Sequence, residues 1–238
     1  MLAKLGFKAL ATTSTGFDFA SSWADGTASL DDVLAHCRDM VAATDLPVSA
    51  DLENCYADTG DGIAETIRRA AETGLAGCSI EDMTDDPDKP ICEFSEAVDR
   101  VSAAVKAVRA LPRPFTLTAR AENFIRGNHD IDDTIKRLQA FSAAGADVLY
   151  APGLASLEQV RQVRAEVETP LNVLAPFIAG ATVAELTAAG AKRISVGSAL
   201  NSVAINSLLR AGSEMLDEGS LAWTAQMASP KIVAEFLS

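Results

Sequence analysis

Two short acidic stretches, ADLENCYAD and GCSIEDMTDDP, hold the residues whose spacing could do chemistry. Asp51 and Glu53 are one residue apart, so on an extended segment both side chains point to one face, and Glu81 and Asp82 close an apolar run. Brought together they give a mouth with three or four carboxylates, and unpaired like charges held close are costly. A hard divalent cation, Mg²⁺ or Mn²⁺, with oxygen ligands and retained waters relieves that cost. Helix capping or surface ion pairing is the alternative use of such residues in an acidic chain. No His-x-x-x-His or His/Cys cluster occurs, which argues against zinc.

Arg120 closes another apolar run, FTLTAR. A guanidinium projecting from such an end into an acidic mouth can hold a substrate carboxylate or phosphonate through two parallel hydrogen bonds. Its structural alternative is a salt bridge to Glu122 or Glu81. The stretch Thr12-Thr13-Ser14-Thr15-Gly16 offers hydroxyls and backbone N–H groups for an oxyanion, or forms a plain turn. His36 and His129 have no ligand-like spacing and read as exposed helix or loop residues. Cys37, Cys55, Cys78 and Cys92 have no C-x-x-C spacing and read as free thiols.

The elements that must position these groups follow a repeat. Short apolar or β-branched runs at Ala9–Thr13, Pro47–Asp51, Gly77–Glu81, Phe115–Arg120, Val148–Ala151, Leu171–Leu174 and Arg193–Gly197 predict seven strands. Between them, segments such as Ile63–Thr73, Phe94–Ala110, Ile131–Ala144, Leu157–Val167 and Val183–Ala189 carry apolar residues three and four apart and predict amphipathic helices. Most end in Gly just before the next strand, where a helix C-cap wants positive φ. Strict alternation with apolar strands implies a parallel sheet covered by helices. Of the two architectures that fit, a closed (β/α)₈ barrel is favoured over an open sheet. Strand after strand ends in a polar residue, and no glycine-rich phosphate turn occurs. The count is one strand short of eight. Met1–Gly6 resembles the last turn of a helix leading into Ala9, so a first strand is expected to be missing from the sequence. A helix over about 203–217 and an apolar tail to Ser238 exceed one barrel unit. The expected organisation is a single domain over 1–238, with 203–238 as a C-terminal helical segment used in oligomerisation. Trp223 within it is expected at a subunit interface.

Composition narrows the partners. The 238 residues carry 20 Lys plus Arg against 33 Asp plus Glu, a formal charge of −13, and no cationic run, so neither nucleic acid nor an anionic membrane surface is an expected partner. Hydrophobic residues make up 48%, enough for a full core, while no uncharged stretch reaches the length needed to span a bilayer and no signal peptide is evident. A cytoplasmic location is expected.

The ordered set GFKALATTSTG, ADLENCYAD, GCSIEDMTDDP, LTARAENF, DVLYAPGL, LNVL and RISVGS resembles the isocitrate lyase and phosphoenolpyruvate mutase superfamily, nearly end to end from Gly6 to about Gly212. The resemblance implies a (β/α)₈ barrel and a tetramer that exchanges its last helix between paired subunits. It also implies Mg²⁺ holding an α-oxo or enolate carboxylate. By resemblance Asp51 coordinates the metal, with Glu53 and Glu81 holding metal-bound waters. Arg120 contacts the substrate carboxylate, and Ser14 with the backbone at Thr15 and Gly16 forms the oxyanion-binding turn. Asp25 and Glu122 match acidic positions near the site, and Asn172 matches a substrate-binding position.

The departures are as informative. The family's lyases carry a K-[KR]-C-G-H loop whose Cys is the acid or base, and here that stretch reads MTDDPDKPICEF. Cys92 lacks the flanking Lys, Gly and His that would lower its pKa. The acidic Thr84–Asp88 segment would repel a phosphonate dianion. Cys55 and Ala57 stand where many relatives have Gly. The chain thus looks like a member without the lyase loop, similar to oxaloacetate decarboxylase or carboxyphosphonoenolpyruvate mutase. The expected activity is Mg²⁺-dependent carbon–carbon cleavage or decarboxylation of a small 2-oxo or 2-hydroxy carboxylate through a pyruvate-type enolate. P–C chemistry on phosphonopyruvate and a non-catalytic carboxylate-binding barrel are the rivals.

Overall fold

The computed structural model describes residues 1–24 and 26–237. Seven parallel strands form one sheet in sequence order: β1 (Leu10–Ala11), β2 (Val48–Ala50), β3 (Gly77–Glu81), β4 (Thr116–Arg120), β5 (Val148–Tyr150), β6 (Leu171–Leu174) and β7 (Ala191–Ser195). Each is paired only with its sequence neighbours, so β1 and β7 each keep a free edge and the sheet is a curled, incompletely closed wall. The closed eight-stranded barrel is therefore not formed among the described residues.

Burial explains why the strands read as apolar runs. All five residues of β3 are buried, because helices cover one face and the opposite side of the curled sheet covers the other. Gly77 is required there, since a Cβ would lie 2.3 Å from the Thr116 carbonyl oxygen of β4. Helix α1 (Leu2–Leu5) precedes β1 and buries no residue, and the covering helices include α2 (Ser14–Ala20), α3 (Leu30–Ala42), α4 (Gly60–Glu72), α5 (Phe94–Arg109), α6 (Ile131–Ala144), α7 (Leu157–Glu166) and α8 (Val183–Ala188). Local chemistry sets their ends. In α6, Asp130 accepts from the Asp132 and Asp133 backbone N–H groups, and Gly145 closes the helix at φ 104°. Leu138 and Phe141 of that helix are fully buried with Leu117 and Leu149 of the sheet. Removing such contacts costs a few kcal/mol per residue, on the order of 2–5 for Leu→Ala.

The elements differ from the sequence reading mainly at their ends, and the helix expected over about 203–217 begins at Ala199. Of the stretch Thr12–Gly16, read as a possible turn, Thr13 is the extended N-cap and Ser14–Gly16 begin α2. Strand β7 spans Ala191–Ser195 rather than Arg193–Gly197, because a bulge changes its register against β6: Leu171 pairs with Ala191 but Asn172 pairs with Arg193.

After β7 the character of the chain changes. Helix α9 (Ala199–Ser213) continues into a π-helical turn at Glu214–Glu218, and α10 (Pro230–Leu237) is the last described element. No residue of α9 is buried, and Leu208, Leu209 and Leu216 are 73%, 63% and 87% exposed. Among the described residues no helix is long and apolar enough to cross a membrane.

Candidate active site

Register builds the site. Glu81, Arg120, Tyr150, Asn172 and Arg193 are successive Cα partners across β3 to β7, so one row of polar residues crosses the sheet, closing β3, β4 and β5 at their C-terminal ends and lying within β6 and β7. Arg120, second in that row, gathers the acidic groups. Its Nη1 lies 2.6 Å from Glu81 Oε1 and 3.1 Å from Asp51 Oδ1, and its Nε donates to Glu122 Oε1 at 2.9 Å. The guanidinium carbon sits 4.9 Å from the Tyr150 ring centroid, a cation–π contact. Both ion pairs foreseen for Arg120, to Glu81 and to Glu122, are formed.

Three carboxylates thus share one guanidinium. Burial pushes the Glu81 carboxyl well above its ordinary range; Arg120 opposes this, while Glu122 and Asp51 reinforce it. A side-chain hydrogen bond with Asp51 pushes Glu81 in the same upward direction. Burial works against the Arg120 charge too, but Glu122, Glu81 and Asp51 together hold it well above its ordinary value. Asp51 is further fixed by Ser79, whose hydroxyl lies 3.2 Å from Oδ1, and by Thr12, whose Oγ1 accepts from the Asp51 backbone N–H at 2.9 Å.

The other expected residues fall in different places. Ser14 directs its backbone N–H toward Asp51 Oδ2 at 3.5 Å, so its closest site contact is through the backbone rather than the hydroxyl. Thr15 and Gly16 follow in the same turn, and the Gly16 carbonyl accepts from Asn201 of α9 at 3.3 Å. Glu53 does not share a strand face with Asp51, because β2 ends at Ala50 and the chain then turns through positive φ at Glu53, Cys55 and Tyr56. The Glu53 carboxylate instead accepts from the Tyr56 hydroxyl at 3.2 Å, and burial with the neighbouring Glu53 pushes that phenol's pKa up. Asp25 lies outside the described residues. Asp18, seven positions earlier, is fully buried and uses Oδ2 to accept from Gly26 N–H at 2.7 Å.

Asp82 is a correction. Adjacent strand residues point to opposite faces, so Asp82 turns away from the mouth that Glu81 enters. Its Oδ1 accepts from the Glu122 backbone N–H at 2.8 Å and its Oδ2 from Arg137 at 3.0 Å. It ties the ends of β3 and β4 to α6. Among the described residues, no three His, Cys, Asp or Glu side chains converge to hold a metal ion.

Of the wall formed by β5 to β7, the linear reading found only Asn172. Asn172 is buried and donates through Nδ2 to Ser195 Oγ at 3.0 Å, and Ser195 is hydrogen bonded to the Tyr150 hydroxyl. Tyr150, Ser195 and Arg193 could have been found only from the register. Cys92 is buried, its thiol is 3.7 Å from the Met83 carbonyl, and burial pushes its pKa up to about 11. This is the reverse of an activated thiol. All four cysteines are free and buried. His129 is exposed, while His36 is half-buried and stacks on Phe17 at 4.4 Å, so its exposed reading does not hold.

The profile of the phosphoenolpyruvate phosphomutase family matches residues 1–216. The chain is 34% identical over 184 residues to the 2-methylisocitrate lyase of Shewanella oneidensis, covering 72% of this chain and 60% of that one. It therefore spans less than two thirds of the length of that curated relative. A solved structure of a provisionally assigned lyase/mutase from Burkholderia cenocepacia is 47% identical with a TM-score of 0.95, covering all of this chain and 85% of that one. A phosphonopyruvate hydrolase solved with oxalate and Mg²⁺ has the same fold at a TM-score of 0.85 and 18% identity, covering 98% of this chain and 84% of that one. On the family match and the shared fold, the chain belongs to the isocitrate lyase and phosphoenolpyruvate mutase superfamily.

Proposed function

We propose that the chain is a Mg²⁺-dependent carbon–carbon lyase that cleaves or decarboxylates a small 2-oxo or 2-hydroxy carboxylate through a pyruvate-type enolate. The observation that carries this reading is the charge imbalance at Arg120, where Asp51, Glu81 and Glu122 share one guanidinium. Such a surplus fits a dication, which a protein commonly holds through one or two carboxylates while most of its shell stays water or substrate. Asp51 would hold the metal directly, with Glu81 and Glu53 holding its waters, so no convergent set of three protein ligands is required. When bound, Mg²⁺ supplies stabilisation of the electrons left on the oxo oxygen as the bond breaks.

The chain's own residues do the rest. Arg120 exchanges part of its pairing with the three carboxylates for the substrate carboxylate, bound through its planar fork. Glu122 and the Tyr150 ring keep that guanidinium aimed while it does so. The backbone at Ser14, Thr15 and Gly16 lines the side of the mouth beside Asp51 and offers N–H groups to a substrate oxyanion. The acidic Thr84–Asp88 segment disfavours a phosphonate dianion and so favours C–C over P–C cleavage.

The test is pyruvate release, with Mg²⁺ and with chelator, from oxaloacetate, 2-methylisocitrate, substituted malates and phosphonopyruvate. Because Mg²⁺ alone decarboxylates oxaloacetate, the Asp51→Ala protein is the baseline. Metal-dependent release from a C–C substrate above that baseline is expected. Release from phosphonopyruvate alone, with phosphate, would replace the lyase reading by the P–C one. Oxalate binding without any turnover would make the chain a binding protein.

Assembly and closure belong to the same proposal. An eighth strand between the free edges of β1 and β7 would complete a (β/α)₈ barrel. The exposed leucines of α9 and the following turn are the surface a second copy would cover, in a tetramer that exchanges terminal helices between paired subunits. Sedimentation velocity of wild type should give an oligomer, and Leu208→Glu with Leu209→Glu should shift it toward monomer. A wild-type monomer at tens of micromolar would overturn the assembly reading.

A further inference from the structure

The wall opposite the carboxylates contains a cation with nothing to do. Arg193 lies on β7 in the same register row as Arg120, and its guanidinium makes no hydrogen bond or ion pair with any described residue. The groups close enough to act on it electrostatically are Tyr150 and Asp51, both at the mouth, and burial pulls its pKa below the ordinary value. A largely desolvated guanidinium without a partner is unfavourable for the fold. Its side chain enters the mouth because of the β7 bulge. With regular pairing Asn172 would lie opposite Lys192; the extra residue leaves Lys192 exposed and gives Arg193 and Ser195 the inward phase. The inward placement follows from contacts too, since Ser195, two residues on, reaches Asn172 and Tyr150. A second observation points to a ligand at the same spot. The Asn172 side chain is 1% exposed, and its Oδ1 has no hydrogen-bond partner.

We propose that Arg193 and Asn172 form the half of the site that reads a second, distal carboxylate of the substrate, making the enzyme selective for dicarboxylates. Arg120 holds the carboxylate next to the carbon that reacts, and Arg193 holds the far one from the opposite wall. The Asn172 Oδ1 accepts from a hydroxyl of the ligand or from a water that travels with it. A guanidinium suits this task because its fork matches a carboxylate and its charge persists when water is excluded. An acid with only the proximal carboxylate would leave Arg193 unpartnered in a closed site, so selectivity would arise from the penalty on the wrong substrate as well as from attraction to the right one.

This inference rests on the reading of Arg120 as the proximal carboxylate site, and the test separates the two. Oxalate, whose two carboxylates are directly bonded, and malate, whose carboxylates are two carbons apart, are titrated in the presence of Mg²⁺ into wild type, Arg193→Gln, Arg193→Lys and Arg120→Lys, by calorimetry, with thermal melts to verify folding. Arg193→Gln should weaken malate at least tenfold and leave oxalate within about twofold, because one bidentate pair to a charge is lost and the proximal site is untouched. Arg193→Lys should recover part of the malate affinity. Equal malate affinity in wild type and Arg193→Gln would overturn the role of Arg193 while leaving Arg120 in place. Equal weakening of both acids by Arg193→Gln would overturn it as well, by making Arg193 a general support of the pocket. Oxalate binding insensitive to Arg120→Lys would instead remove the reading beneath it, and the inference with it. If the protein turns over a dicarboxylate, the Arg193→Gln loss should fall in KM, with kcat changed far less.

Discussion

The two walls of the mouth are built on opposite principles. Along β2 to β4, Asp51, Glu81 and Glu122 crowd around a single guanidinium, and the Glu81 carboxyl is forced upward in pKa first by burial and, against the pull of Arg120, by its acidic neighbours. Along β5 to β7, Tyr150, Ser195 and Asn172 form a neutral hydrogen-bonded chain beside an unpartnered Arg193. One wall has too much negative charge for its cation, and the other has a cation without an anion. Neither imbalance helps folding. Both would be relieved together by a divalent cation on one side and an anionic ligand reaching the other, and this is the sense in which the site is prepared for binding at the expense of the free protein.

Breaking the acidic wall should have the largest effect, and its direction depends on which charge is removed. Arg120→Met leaves Asp51, Glu81 and Glu122 facing each other without compensation and should destabilise the fold by about 3–5 kcal/mol. Glu81→Gln keeps shape and hydrogen-bonding capacity while removing one carboxyl from the crowded set. Its stability should lie within about 1 kcal/mol of wild type or above it, although Mg²⁺-dependent oxalate binding is lost. Urea unfolding without metal reads both. Equal destabilisation by the two substitutions would show that the carboxylates are balanced by the fold and not poised for a cation.

The comparison also separates what the sequence reveals from what it conceals. Helix α6 is legible to the residue, because Asp130 and Gly145 mark its ends and the apolar period runs between them. Strands β3 and β6 are equally plain as short apolar runs between turns. The acidic wall was visible because its residues sit at the ends of those runs. Its details were not: Asp82 faces away since neighbours on a strand alternate, and Glu53 escapes the strand geometry because the chain turns at positive φ after β2. The opposite wall was hidden for another reason. Tyr150, Ser195 and Arg193 come together only through strand register, and the bulge that brings Arg193 inward leaves no mark in a linear pattern. Linear spacing finds residues on one element, whereas a wall made from three strands depends on how they pair.

The neutral wall should yield the smallest effect, which makes it the sharper test of the difference. Tyr150→Phe removes the hydroxyl that pairs with Ser195 but keeps the ring beneath Arg120, so the cation–π contact survives. The loss should be about 0.5–1.5 kcal/mol in urea unfolding, the usual net worth of one hydrogen bond. Tyr150→Leu loses the ring face as well, and should cost more than Tyr150→Phe by about 1 kcal/mol. If Tyr150→Phe alone approached the cost of Arg120→Met, the hydroxyl would be supporting the charged row directly, and the two walls would form one coupled network. If only Tyr150→Leu is costly, the ring is the link between them: it holds Arg120 in place from one side while the carboxylates hold it from the other.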